Sequence, residues 1–448
     1  MTGAASQVAA MLLATGDVLG AMLDGSRHAA HNLLIAARMV FYYPLVMAYV
    51  WMIGAIIFYL RREWRQPDVF GPIPVLSRYP SVAIVVPCHN EGDNVRDTIA
   101  FAARQNYPDF EIIAVNDASK DDTLAILTEL AQRTPRMRVI NLATNQGKAM
   151  GMRTAAMLSE AEIIIGIDGD SLLAPEATAW LVRQFVDDES VGAVTGNPRV
   201  RNRTTLIGRI QVGEFSAIVG MIKRAQQAYG RIFTVSGVIA AFRRQALHQA
   251  GYWSTDMVTE DIDISWKLQL AGWRIRFEPN ALCWVLMPES VRGLWRQRAR
   301  WAQGGAEVML RYTPQILRWK SRRLWPLWAE YWVSIIWSYL LALALVAAIV
   351  HTIEPDPFGW AVDIMPRWFG VLLSITCLIQ FGVSLFIDSR YEARAGGLGR
   401  YYFWIIWYPI AYWAIGVSTA LVGIQRALRR KRGAPAIWGA SDRGLQAS

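Results

Sequence analysis

Four long apolar runs bracket a polar middle in which strands and helices alternate, and this layout restricts the fold more than any other feature. Residues 33–60, 327–352, 367–387 and 401–424 are each long enough to cross a hydrocarbon layer of about 30 Å. Lipid offers no partners to backbone N–H and C=O groups, so such runs are expected as helices. With 53% hydrophobic and 18% charged residues, the chain is too apolar for an ordinary soluble protein of its size. The net charge of +10 would allow nucleic-acid binding. Many of the arginines lie beside apolar runs, however, which fits membrane anchoring and an anionic substrate better. Cys88, Cys283 and Cys377 are widely spaced, so neither a disulfide framework nor a zinc site is expected.

The chain divides into five parts. Residues 1–66 form an N-terminal membrane region, with the strong span at 33–60 and a weak apolar stretch at 7–23. The weak stretch is broken by Asp17 and preceded by no Lys or Arg, so it is a poor signal peptide. Arg61, Arg62 and Arg65 follow the strong span and put that end in the cytosol. Residues 75–288 alternate strands and helices, as an α/β domain does. Residues 289–325 carry Arg292, Arg296 and Arg300 at helical spacing beside Leu294, Trp295 and Trp301. That pattern predicts a basic amphipathic helix lying on a membrane face. Residues 326–425 hold the C-terminal spans, and 426–448 are a basic tail. Positive charge places both the 388–400 loop and the tail in the cytosol, yet three crossings after a cytosolic domain would end outside. Either the last run re-enters near Pro409 or the tail breaks the rule.

Within the α/β part, residues 163–167 read as a strand buried on both faces, ending in Asp168-Gly169-Asp170. Ligands of open α/β sheets bind at the carboxyl ends of strands. Two carboxylates one residue apart suit Mg²⁺ or Mn²⁺, which bind through hard oxygens and substrate phosphates. Asp170 is the better metal candidate, with Asp168 meeting a ribose. Glu91 and Asp117 follow the first two strands and could accept hydrogen bonds from a uracil and its ribose. Lys148 opens a helix after Gly147 and is a candidate diphosphate contact. Glu260 and Asp261 begin a helix after Thr259. Asp261 would face a cleft as a base for a sugar hydroxyl, a weak one if its pKa stays near ~4. Gln297 and Arg300 could hold a departing diphosphate, and Trp301 offers a face for a sugar ring.

Asp117, Asp168-Gly169-Asp170, Thr259-Glu260-Asp261 and Gln297-x-x-Arg300-Trp301 occur in that order. On these motifs the chain resembles the processive, inverting family-2 glycosyltransferases, the group of cellulose, chitin and hyaluronan synthases. Val-Pro-Cys-His-Asn-Glu at 86–91, Asn-Gln-Gly-Lys at 145–148, Gly-Asn-Pro-Arg at 196–199 and Arg-Trp-Ala-Gln-Gly-Gly-Ala-Glu at 300–307 look like the branch making β-1,6-linked poly-N-acetylglucosamine. The resemblance implies a GT-A-type α/β domain, mostly parallel with helices on both faces, set between transmembrane helices. It implies UDP-N-acetylglucosamine as donor, the growing polysaccharide as acceptor, Mg²⁺ or Mn²⁺ as cofactor and Asp261 as general base. Ser236 and Gly237 would line the acceptor site. It further implies a bacterial inner membrane location, a small membrane partner subunit, and cyclic di-GMP bound at their shared interface. A chitin- or hyaluronan-type synthase and a lipid-carrier glycosyltransferase are the alternatives. An unaided polysaccharide would leave its hydroxyls unpaired in lipid, which is why one chain would both extend and export it.

Overall fold

The computed structural model describes residues 38–66, 73–353, 367–431 and 433–437. The weak stretch 7–23 and the end of the basic tail lie outside them. Helix α1 (Arg38–Glu63) leads from the apolar region to the α/β domain and closes in a π-helical turn, Tyr59–Glu63. The domain then runs β1 (Val82–Cys88), α2 (Val95–Ala102), β2 (Phe110–Asp117), α3 (Thr123–Arg133), β3 (Met137–Leu142), α4 (Lys148–Leu158) and β4 (Ile163–Ile167). It continues with β5 (Leu172–Leu173), α5 (Ala177–Val186), β6 (Val191–Val200), α6 (Leu206–Glu214) and α7 (Ile222–Ala228). Its last elements are β7 (Ile239–Arg243), α8 (Arg244–Ala250), α9 (Glu260–Leu270) and β8 (Arg274–Val285).

The eight strands form one mixed sheet, ordered β3-β2-β1-β4-β7-β6-β8-β5. Strands β1 to β4 are parallel, and every residue of β1 and β4 is buried, as expected of strands covered on both faces. Alternate residues feed two cores. Ile84, Ile112 and Ile165 pack on the α2 and α5 face, and Ala83, Ile113 and Ile164 on the α4, α8 and α9 face. Because β1, β2 and β4 run parallel, the loops carrying Glu91, Asp117 and Asp168–Asp170 leave the sheet at one edge. Strand β7 is antiparallel to β4 with Ile239 opposite Ile167, so Ser236 and Gly237 arrive at that edge too.

Beyond the sheet come α10 (Val291–Ile316), α11 (Trp325–Ile353), α12 (Arg367–Ser389), α13 (Tyr402–Ile405) and α14 (Tyr408–Arg429). In α10 the stripe Arg292, Arg296 and Arg300 is exposed, while Leu294, Val308 and Met309 are buried. Among the described residues, three helical stretches are long and apolar enough to cross a membrane: Arg38–Glu63, Trp319–Val346 and Gly370–Ala393. A buried ion network joins two of them to the domain. Arg224 on α7 contacts Glu63 at 2.7 Å and Asp388 at 2.9 Å, and Arg199 on β6 reaches Asp388 at 2.8 Å. Just beyond, Arg203 meets Glu392 at 2.5 Å.

The last apolar run is interrupted at 406–407. Its start, α13, packs on α6, and its continuation α14 lies along α10. After α14, Arg430 pairs with Glu307 at 2.8 Å and donates to the Asp256 carbonyl at 3.0 Å. Both ends of the run therefore rest on the α/β domain. Among the described residues this run is not one of the stretches long and apolar enough to cross a membrane.

Candidate active site

The sheet edge, α7, α9, α10, α11 and the tail enclose a cavity of about 890 Å³, within the usual range for a ligand pocket. Eleven of the twelve residues singled out from sequence line it: Glu91, Lys148, Asp168, Asp170, Ser236, Gly237, Glu260, Asp261, Gln297, Arg300 and Trp301. Asp117 does not. It is fully buried behind the wall, where its carboxylate accepts from the backbone N–H groups of Gln146 (2.8 Å) and Gly147 (2.7 Å). In this structure its carboxylate braces the loop that presents Lys148.

Lys148 stands at the start of α4 with all three N–H donors engaged. They reach Asp168 at 2.5 Å, Glu260 at 3.0 Å and the Gly237 carbonyl at 2.9 Å. One ammonium thus ties the ends of β4 and α9 to the loop before β7. That arrangement was not foreseen for a residue read as a diphosphate contact. Gly169 lets the acidic turn close on Glu91, since a Cβ there would lie 2.8 Å from the Glu91 Cγ. Asp170 is only 8% exposed.

Asp261 lies in the first turn of α9 and is half-buried. Burial and the neighbouring Glu260 anion push its carboxyl up to about 6, against the pull of Lys148 and Arg300. It is therefore a better base near neutral pH than an ordinary aspartate. Burial would also raise Glu260, but Lys148 and Arg300 hold it below the usual carboxylate range. Two adjacent acids are split into a charged partner and a poised base.

Helix α10 is locked to α9 by a close approach: a Cβ on Gly304 would lie 2.1 Å from Thr259 Oγ1. This brings Gln297, Arg300 and Trp301 to the same cavity. The Gln297 side-chain oxygen is buried with no protein partner among the described residues. Arg298 caps the Trp301 ring at 4.1 Å and is itself held by Glu214 at 2.7 Å. Among the described residues no cluster of three or more His, Cys, Asp or Glu could hold a metal alone. Asp168 and Asp170 nonetheless fit a magnesium-type ion, which commonly takes one or two carboxylates and completes its shell with phosphate and water.

Sequence reasoning missed several lining residues. Lys223 follows directly on the largely apolar stretch 215–222, a signal that could have been followed. Trp51, Glu330, Tyr331 and Ser334 extend the cavity toward the apolar helices, and Pro435, Ala436 and Ile437 close one wall. None of these belongs to a recognisable motif.

Residues 80–304 match the family described as glycosyltransferase-like family 2. A poly-β-1,6-N-acetyl-D-glucosamine synthase of Staphylococcus aureus (strain MSSA476) is 36% identical over 405 residues, 90% of this chain and 97% of that protein. The Staphylococcus epidermidis synthase of the same description is 36% identical over 408 residues, with the same coverage of both chains. Among solved structures, a Pyrobaculum calidifontis mannosyltransferase in complex with GDP-mannose and Mn²⁺ superposes with a TM-score of 0.57 at 18% identity. The match covers 87% of this chain and 99% of that one, a likeness of fold. The acidic edge of the sheet, the shared cavity and these matches agree: the chain belongs to glycosyltransferase-like family 2, as a relative of the poly-β-1,6-N-acetylglucosamine synthases.

Proposed function

We propose that the chain polymerises N-acetylglucosamine from UDP-N-acetylglucosamine into a β-1,6-linked polysaccharide and exports it across the membrane. The observation that carries this reading is a single cavity reached by both Asp170 and Asp261 and continued by Trp51, Glu330, Tyr331 and Ser334 toward the apolar helices. A nucleotide sugar bound at the sheet edge would present C1 to an acceptor arriving from the membrane side. Asp261 takes the proton of the acceptor's C6 hydroxyl as its oxygen attacks C1 from the face opposite UDP. The C1–O bond to the diphosphate breaks, UDP departs, and the configuration inverts. Asp170, with Asp168 beside it at the ribose, would hold a Mg²⁺ or Mn²⁺ that neutralises charge on the departing diphosphate. Arg300 assists there. Trp301, steadied by Arg298, would hold the acceptor ring.

The positive-inside rule supports a cytosolic α/β domain on a bacterial inner membrane, with α1, α11 and α12 as the crossings. A small membrane partner and cyclic di-GMP at the shared interface belong to the same reading. A purified pair that binds no such nucleotide would remove that part.

Purified protein in lipid, given labelled UDP-N-acetylglucosamine, should build a polymer only with a divalent ion present. A β-1,6-specific hydrolase should degrade the product. Asp170→Asn should lose at least about a hundredfold in incorporation, the scale of losing electrostatic stabilisation in a transition state. A hydrolase-resistant polymer would point to the chitin or hyaluronan alternative, and a single sugar on a lipid to the carrier-linked one.

A further inference from the structure

Lys223 lies on α7, is 6% exposed, and yet lines the cavity. Its ammonium has three N–H donors. Among the described residues its hydrogen-bond partner is Thr195 Oγ1, at 3.0 Å, and no carboxylate lies within ion-pair distance. A buried cation so sparsely satisfied is costly unless another group completes it. The same Thr195 hydroxyl accepts from the Ser236 backbone N–H at 2.8 Å, so it sets both Lys223 and the loop before β7.

The position of Lys223 is imposed rather than incidental. A π-helical turn, Phe215–Met221, precedes α7, and the next residue, Arg224, is clamped by Glu63 and Asp388. Lys223 thus stands on a helix bolted to the apolar region. It is on the β6–β7 side of the cavity, farther along the sheet from the β1 and β2 ends that carry Glu91 and Asp117. Burial pulls its ammonium down to about 7, and Asp261 is the charged neighbour whose field works to keep the proton on. The missing partner is therefore a group beside the base rather than the diphosphate.

We propose that Lys223 is a hydrogen-bond donor of the acceptor subsite, contacting an oxygen of the growing chain's terminal sugar and so holding its hydroxyl at Asp261. The inference rests on the polymerising reaction proposed above. A neutral, hydroxyl-rich sugar supplies acceptors for both remaining N–H groups without adding a charge to the pocket.

The test uses the full chain in lipid, with short β-1,6-linked N-acetylglucosamine oligosaccharides as primers and UDP as the nucleotide probe. K223M keeps the length of the side chain and removes every donor, and K223Q restores one N–H group without the charge. The half-saturating primer concentration should rise roughly 10- to 100-fold in K223M, the effect of losing a charged hydrogen bond. It should rise less in K223Q, with UDP affinity within about twofold of the parent in both. An unchanged primer requirement in K223M overturns the proposal. So does a loss of UDP affinity equal to the loss for primer, which would make Lys223 a nucleotide contact. If K223M does not fold, the same comparison in K223Q decides. No incorporation by the unsubstituted chain would fault the reaction rather than the role of Lys223.

Discussion

If Asp261 is the base, the rate should depend on pH in a way an ordinary aspartate does not allow. With the carboxyl pushed up to about 6, its ionised fraction falls from about 0.97 at pH 7.5 to about 0.09 at pH 5, roughly a tenfold loss of the competent form. An aspartate at ~3.9 would lose under about a tenth over the same interval. The sign follows from the role: the anion accepts the proton, so activity is present above the raised pKa and lost as pH falls through it. The assay is the initial rate of polymer formation at saturating donor, between pH 5 and pH 8.5, at fixed divalent ion and ionic strength. Glu260→Gln separates Asp261 from other titrating groups. It removes the anion that raises Asp261 and leaves the Lys148 charge less neutralised, and both changes lower the Asp261 pKa. The acid limb should therefore move to lower pH. A parental limb below about pH 5 would refute the argument. So would a limb that Glu260→Gln leaves in place.

Two further changes probe the scaffold that presents the site. Arg224→Met strands the buried carboxylate of Glu63 and leaves Asp388 with Arg199 alone, and it should cost about 3–5 kcal/mol, read as a lower unfolding temperature in detergent. An unchanged temperature would mean that the clamp contributes little. Gly304→Val must push α10 off the Thr259 turn. Displacing Gln297–Trp301 from Asp261 by about 1 Å should lower kcat around a hundredfold. Parental kcat would show that the two helices need not be so close.

What the sequence made legible was local. Residues 163–167 are apolar on both faces because β4 is covered on both faces, and a strand ending in two carboxylates places them where parallel sheets open. The first turn of α9 could be read from Thr259 and the acids after it. What stayed hidden depends on contacts between distant segments. Lys148 reads as a phosphate contact from its place at a helix start, and that its three donors meet Asp168, Glu260 and the Gly237 carbonyl, from three different elements, is visible only in the folded chain. Asp117 was placed at the correct strand end, but whether its carboxylate faces the cavity depends on the 145–147 loop, which no periodicity describes. The raised pKa of Asp261 needs burial and a charged neighbour, and neither is written in a helix start. The last apolar run reads from sequence as either a span or a re-entrant segment near Pro409. Its interruption at 406–407 and its seat along α10 exist only in the folded chain.

The most direct test is a structure of the protein in lipid with UDP-N-acetylglucosamine and Mn²⁺. The account predicts the ion at Asp170 against the diphosphate, with the sugar's C1 facing a gap bounded by Asp261 and Trp301. A nucleotide bound away from Asp170, or a sugar whose C1 cannot be approached from the side of Asp261, would contradict it.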